Sequence, residues 1–227
     1  MHTLICISLC AGIHQTALAE AVDQVQQCHD LIEKNDRDAA FTPCSQAAEA
    51  GDLKAQLQMG LAYRFGYGVE ADGPAALGWY EKAVQQGDAS AQYRIGQMYD
   101  YGQSVAVDDV EAARRYRLAA EAGWALAAND LGAMYEHGEG VERDLEQAFA
   151  WYTQAAEGGN PMGIRNVGRF YDYGKGREVD DVQAAHWYKL AADAGNTYAQ
   201  NDLAAMYENG RRGAEFVRGI RSLSTGC

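Results

Sequence analysis

Carboxylates recur in this sequence at a fixed interval. Asp100, Glu136, Asp172 and Glu208 stand 36 residues apart, with Arg64 one interval ahead of them. Such a row can steer and hold a positively charged ligand, but it does not by itself make a catalyst. Nucleophilic catalysis needs a base beside the nucleophile, and the chain has no Ser-x-x-Lys or Gly-x-Ser-x-Gly arrangement. His29, His137 and His186 stand apart, without the spacing of a metal site. Gly66-Tyr67-Gly68 and Gly174-Lys175-Gly176 follow no strand pattern, so they read as loop glycines rather than phosphate cradles. No cofactor and no metal is implied, and the chemistry on offer is recognition.

The chain has 227 residues and a formal net charge of −13. That length can bury one or two ordinary cores. The acidic balance disfavours nucleic acid as a partner. No stretch approaches eighteen consecutive apolar residues, so no transmembrane segment is expected. The first nineteen residues contain no Asp, Glu, Lys or Arg. Leu4 to Ile13 is mostly apolar, and Ala17-Leu18-Ala19 has the small-x-small form of a cleavage site. The pattern predicts a signal peptide over residues 1–19 and a periplasmic or secreted chain starting at Glu20; the alternative is an apolar helix belonging to the fold. Beyond that segment lie Cys28, Cys44 and Cys227. Cys28 and Cys44 could form a disulfide in an oxidising compartment, or stay as two buried thiols.

What must position the carboxylates is a repeat. The small residue at Gly60, Gly96, Gly132, Gly168 and Ala204 recurs every 36 residues, as do Tyr63, Tyr99, Tyr135, Tyr171 and Tyr207. A glycine follows at Gly66, Gly102, Gly138, Gly174 and Gly210. Asp72, Asp108, Asp144 and Asp180 come next, then the pairs Trp79-Tyr80, Arg115-Tyr116, Trp151-Tyr152 and Trp187-Tyr188. A period in this range signals a solenoid. Gly138 and its equivalents suit a left-handed helix end, and the aspartates suit N-caps. Each unit therefore reads as helix, Gly-rich loop, helix, with the third copy helical over about 126–137 and 145–157. Gly132 lies inside a helix, which suggests close approach by another backbone. The columns of Met59, Ile95, Leu131 and Val167, of Met98, Met134 and Phe170, and of the Trp-Tyr pairs are assigned to the core.

The stretch "LGAMYEHGEGVERDLEQAFAWYTQAAEGG", Leu131 to Gly159, resembles the Sel-one-like repeat, a relative of the tetratricopeptide repeat. The resemblance covers about 40–210. It implies an all-α fold, a right-handed α-solenoid of 36-residue helix-turn-helix repeats, acting as a protein–protein interaction scaffold in the bacterial envelope or outside the cell. The implied organisation is a helical cap over 20–50, four full repeats over 51–194, and a partial repeat with an atypical basic tail over 195–227. Ser104 departs from the pattern by replacing a loop glycine, and the tail after Gly210 lacks the motif. Some cysteine-rich relatives imply an alternative, β-lactam binding or hydrolysis. Their hallmark is a disulfide in every repeat, and the full repeats here contain no cysteine.

The resemblance implies that first helices line the inner curve. On them Arg94, Gln97, Asp100 and Tyr101 fall at helical spacing, as do Asp130, Glu136 and His137, and Asn166, Arg169, Asp172 and Tyr173. With Glu208 these are the candidate partner-binding residues. The acidic column is expected to face solvent and a basic, partly apolar protein or peptide.

Overall fold

The computed structural model describes residues 22–210; the expected signal segment and the tail 211–227 lie outside them. Among the described residues all regular structure is helical. Helix α1 covers 22–33, and α2 is Phe41–Glu49. The 36-residue units then supply α3 (Leu53–Phe65), α4 (Gly73–Gln85), α5 (Ala89–Tyr101), α6 (Asp109–Glu121), α7 (Ala125–His137), α8 (Leu145–Glu157), α9 (Pro161–Tyr173), α10 (Asp181–Asp193) and α11 (Thr197–Glu208). The chain is an all-α solenoid of helix pairs. It divides into two compact units, one ending at Val107 and one beginning at Asp108.

The helix boundaries have local causes. Asp52, Asp72, Asp88, Asp108, Asp144 and Asp180 each accept a hydrogen bond from a backbone N–H in the first turn of the helix that follows. Capping of this kind is worth about 1 kcal/mol per helix. First helices end on a left-handed glycine: Gly66, Gly102, Gly138 and Gly174 have φ of 78°, 63°, 81° and 65°. Three of the Gly-rich loops carry a second left-handed glycine, at Gly68, Gly140 and Gly176; in the remaining loop Ser104 takes the same conformation, with φ of 61°. The serine carbonyl packs where Gly73, the first residue of α4, has no Cβ to obstruct it. The departure from the repeat pattern is thus matched by a glycine in the helix facing it.

In the first unit, Cys28, Ala40, Cys44, Ala47, Ala55 and Met59 form one core cluster. Ala76, Tyr80, Ala83, Ala91, Ile95 and Met98 form the next. A disulfide joins Cys28 to Cys44 and so ties α1 to α2. In the second unit the cores gather around Tyr152 with Phe170 and Val167, and around Tyr188 with Met206. The tyrosines of the Trp-Tyr pairs are fully buried, whereas Trp79, Trp151 and Trp187 are half-buried. Gly132 does not face a neighbouring backbone first, as its position suggested. A Cβ there would lie 2.8 Å from the Tyr152 ring and 3.2 Å from the Ala148 carbonyl oxygen. Gly168 meets Tyr188 in the same way, and Gly60 meets Tyr80. The small-residue column therefore exists to seat an aromatic ring of the same repeat.

Candidate functional site

The helix face carrying the candidate residues holds a polar network in each unit. In the second unit Glu136, at the end of α7, is buried rather than solvent-facing, with 5% of its surface exposed. One carboxylate oxygen accepts a hydrogen bond from the Tyr152 hydroxyl at 2.9 Å. The other accepts from the Lys175 ammonium in the loop after α9, and Arg169 approaches it at 3.8 Å. Burial works to raise the Glu136 pKa, but the Lys175 and Tyr152 hydrogen bonds and the Lys175 and Arg169 charges outweigh it and hold the carboxyl below its ordinary value. Asp172, one repeat on, is 8% exposed and accepts from the Tyr188 hydroxyl at 2.9 Å. Burial and the carboxylates beside them push the Tyr152 and Tyr188 phenols well above the ordinary tyrosine range.

This corrects the expectation that the acidic column is a solvated electrostatic strip. Glu136 and Asp172 are acceptors for buried tyrosines sixteen residues later in the chain. A buried hydroxyl without an acceptor costs about 1–3 kcal/mol, so a carboxylate at this point has a structural task. Asn166 is also buried. Its amide donates to Asn129 Oδ1 at 2.9 Å and its oxygen accepts from Arg169 at 3.1 Å. Asp130 accepts from the Asn129 amide at 3.1 Å. A matching rung one repeat further joins Arg165 to Asp202 at 2.6 Å. Glu208 is exposed, in the last turn of α11.

The first unit fills the same positions differently. The residue at the Glu136 position is Arg64, which is buried. Its guanidinium donates to Gln103 Oε1 at 2.6 Å from Nε and to Gln97 Oε1 at 3.2 Å. The Arg64–Gln103 bond spans the same 39 residues as Glu136–Lys175, with donor and acceptor exchanged. Arg94 is half-buried, and its Nε is buried without a hydrogen-bond partner; so are the Tyr80 hydroxyl and the Gln58 amide nitrogen. Asp100 is half-buried and makes interactions of its own.

Around these networks the face carries exposed apolar side chains. Tyr101 and Tyr173, at the ends of α5 and α9, are 59% and 63% exposed. Phe65 and His137 hold the same repeat position and are exposed. At the other end of the helices Leu126, Met162 and Tyr198 are exposed. Helical spacing picked out Tyr101 and Tyr173; the burial of Arg64, the Lys175 contact and the tyrosine acceptor role were not legible. Their signal was the constant tyrosine sixteen residues after each column residue. A separate open hollow of about 680 Å³ lies beside Arg117, Tyr135, Arg143 and the half-buried Trp151. Among the described residues no group of His, Cys, Asp and Glu could hold a metal ion, and no helix is long and apolar enough to cross a membrane.

The chain is similar to a Sel1 repeat protein from Oxalobacter formigenes, with 33% identity over 83% of this chain and 75% of that one, at a TM-score of 0.73. It is also similar to c5321, a protective antigen of uropathogenic Escherichia coli with an SLR fold: 37% identity, 86% of this chain and a TM-score of 0.77. The match spans 43% of that protein's length, less than half of it. The immunity protein Pa5087 from Pseudomonas aeruginosa shares the fold at 22% identity, 79% and 68% coverage, and a TM-score of 0.52. Curated proteins give no significant match. The Sel1 repeat model matches residues 53–88, 89–124, 125–160, 161–196 and 197–215, which together make up most of the sequence, and the chain therefore belongs to the Sel1 repeat family.

Proposed function

We propose that this chain is an extracytoplasmic adaptor, periplasmic or secreted, that holds a protein or peptide against the exposed first-helix faces of its units. Sel1 repeats are protein-interaction modules, and the family is in general a non-enzymatic scaffold. The observation that carries the reading is the placement of exposed aromatic side chains, Tyr101 on α5 and Tyr173 on α9, at one repeat position. Each sits in the last turn of a helix whose neighbouring side chains are largely polar, which fits an apolar anchor beside a polar surface. Tyrosine is enriched among residues that dominate binding energy because it buries a large area for little lost side-chain freedom. Extracytoplasmic placement draws on the charge-free apolar leader and on the Cys28–Cys44 disulfide, since such bonds persist in oxidising compartments.

The test is proximity labelling followed by pull-down in the native host, with the wild-type chain and a Tyr101→Ser/Tyr173→Ser variant. A protein enriched by the wild type and lost from the folded variant supports the reading. An unchanged set of enriched proteins removes this face as the docking surface. Saturable nitrocefin turnover by the purified protein would instead favour a β-lactam hydrolase.

A further inference from the structure

We propose that the first unit contains a carboxylate-binding site, built from Tyr80, Arg64 and Arg94, that takes one carboxylate of a bound peptide or protein. This rests on the adaptor reading and adds the chemistry of one contact to it. The Tyr80 ring is seated on Gly60 of α3, and its hydroxyl reaches toward the end of that helix, where the residue sixteen positions earlier is Arg64. Arg64 donates across to Gln97 on α5. Arg94 lies one turn before Gln97 on the same helix, so it shares that side of α5. Both guanidiniums act electrostatically on the Tyr80 phenol. Arginine only donates. The phenol proton is therefore left facing two donors with no acceptor, and Arg94 Nε has no hydrogen-bond partner.

The second unit indicates what is missing. At the equivalent point Tyr152 and Tyr188 give their protons to the carboxylates of Glu136 and Asp172. The rung beside it differs as well. Asn129 faces Asn166 and Arg165 faces Asp202, but the residue in register with Arg94 is Leu57, which offers no acceptor. Two substitutions, arginine for the acid and leucine for the polar rung, thus leave two buried donors beside two positive charges. A carboxylate has the acceptor capacity and the charge to satisfy both. Arg94 is half-buried, so the cluster meets solvent at that side chain. The carboxylate could come from a chain terminus or from an acidic side chain.

The experiment follows the Arg94 side-chain Nε–H resonance of the full chain by NMR during titration with three tripeptides. Acetyl-Ala-Ala-Ala offers a terminal carboxylate, acetyl-Ala-Glu-Ala-amide a side-chain one, and acetyl-Ala-Gln-Ala-amide none. A saturable shift with one or both acids, and none with the glutamine peptide, is expected; which acid responds identifies the source. Tyr80→Phe should weaken that binding about five-fold, the equivalent of one hydrogen bond. Arg94→Gln, followed by backbone resonances of α5, should abolish it. Circular dichroism checks that both variants keep their helix content. Equal responses to the glutamic acid and glutamine peptides, or binding untouched by both substitutions, would overturn the site. Partner capture through Tyr101 and Tyr173 would survive that outcome, so the adaptor reading fails or stands separately.

Discussion

Tyr80 and Tyr152 occupy the same repeat position, are both buried, and lie against a glycine of the preceding helix, yet they end differently. In the second unit the hydroxyl meets a carboxylate that is itself held by Lys175. In the first it lies among arginines and has no acceptor. Packing is therefore common to both tyrosines while the acceptor of the hydroxyl is not. The difference separates two things a repeat position can do. A satisfied buried network fixes the geometry of its neighbourhood. An unsatisfied one costs stability and leaves hydrogen-bonding capacity for a further partner.

The sharpest test of the common part is Gly132→Leu beside Gly60→Leu. Both place a branched side chain where a tyrosine ring already sits. Overpacking of this kind costs about 3 kcal/mol, at the top of its usual range, against a helix-propensity gain of ~1 kcal/mol. Thermal denaturation should show both variants strongly destabilised. A melting temperature unchanged in one and lowered in the other would break the claim that the two units share their packing.

Next in size is the carboxylate. Glu136→Ala leaves the Tyr152 hydroxyl without an acceptor and Lys175 without its ion-pair partner. Losing one side of a largely buried pair should cost about 2 kcal/mol, discounted because Lys175 keeps some water. Arg64→Ala removes hydrogen bonds to two neutral glutamines and should cost less. Urea denaturation of both variants checks the order; a larger loss for Arg64→Ala would mean that the first unit depends on its cation as the second depends on its acid.

The period, the aspartate caps and the left-handed glycines were legible in the sequence because each is a local backbone demand that the residue type answers directly. Asp144 capping α8 and Gly138 ending α7 are examples. The face of the first helices was legible too, since helical spacing alone places Arg94, Gln97 and Tyr101 together. The burial of Glu136 and Asp172 was not. Their column looked like a row of repelling charges, and only the three-dimensional seat of the tyrosine ring brings its hydroxyl to them. Ser104 hid its compensation for the same reason, because Gly73 lies 31 positions earlier in sequence.

Acid gives a gentler perturbation than substitution. The Glu136 carboxyl is held below its ordinary value of 4.5 by the hydrogen bonds and charges that overcome its burial. Glu111, on α6, is lowered to about 2, chiefly by its hydrogen bond from Arg114. A depressed carboxyl stabilises the fold fully above its unfolded pKa and loses that contribution as pH falls through its folded one. Both groups belong to the second unit, and the first unit has an arginine at the Glu136 position, which keeps its charge throughout. Between pH 4.5 and pH 2, hydrogen exchange should therefore rise in α6–α9 before it rises in α3–α5. Simultaneous loss, or earlier loss in α3–α5, would show that other groups dominate the acid response.

The smallest effect isolates the difference itself. Tyr188→Phe removes a hydroxyl that donates to buried Asp172 at 2.9 Å. The carboxylate would then lose a partner in a site with little water, at a cost of about 1–2 kcal/mol. Tyr80→Phe removes a hydroxyl that has no acceptor. The ring still covers Gly60, so the packing term is unchanged, and the desolvation of an unpaired hydroxyl disappears. Its stability should stay within about 0.5 kcal/mol of wild type or rise slightly. Chemical denaturation of the two variants under one buffer condition measures the contrast directly. Equal destabilisation would mean that Tyr80 has an acceptor in solution, and the distinction between the two units would reduce to their sequences.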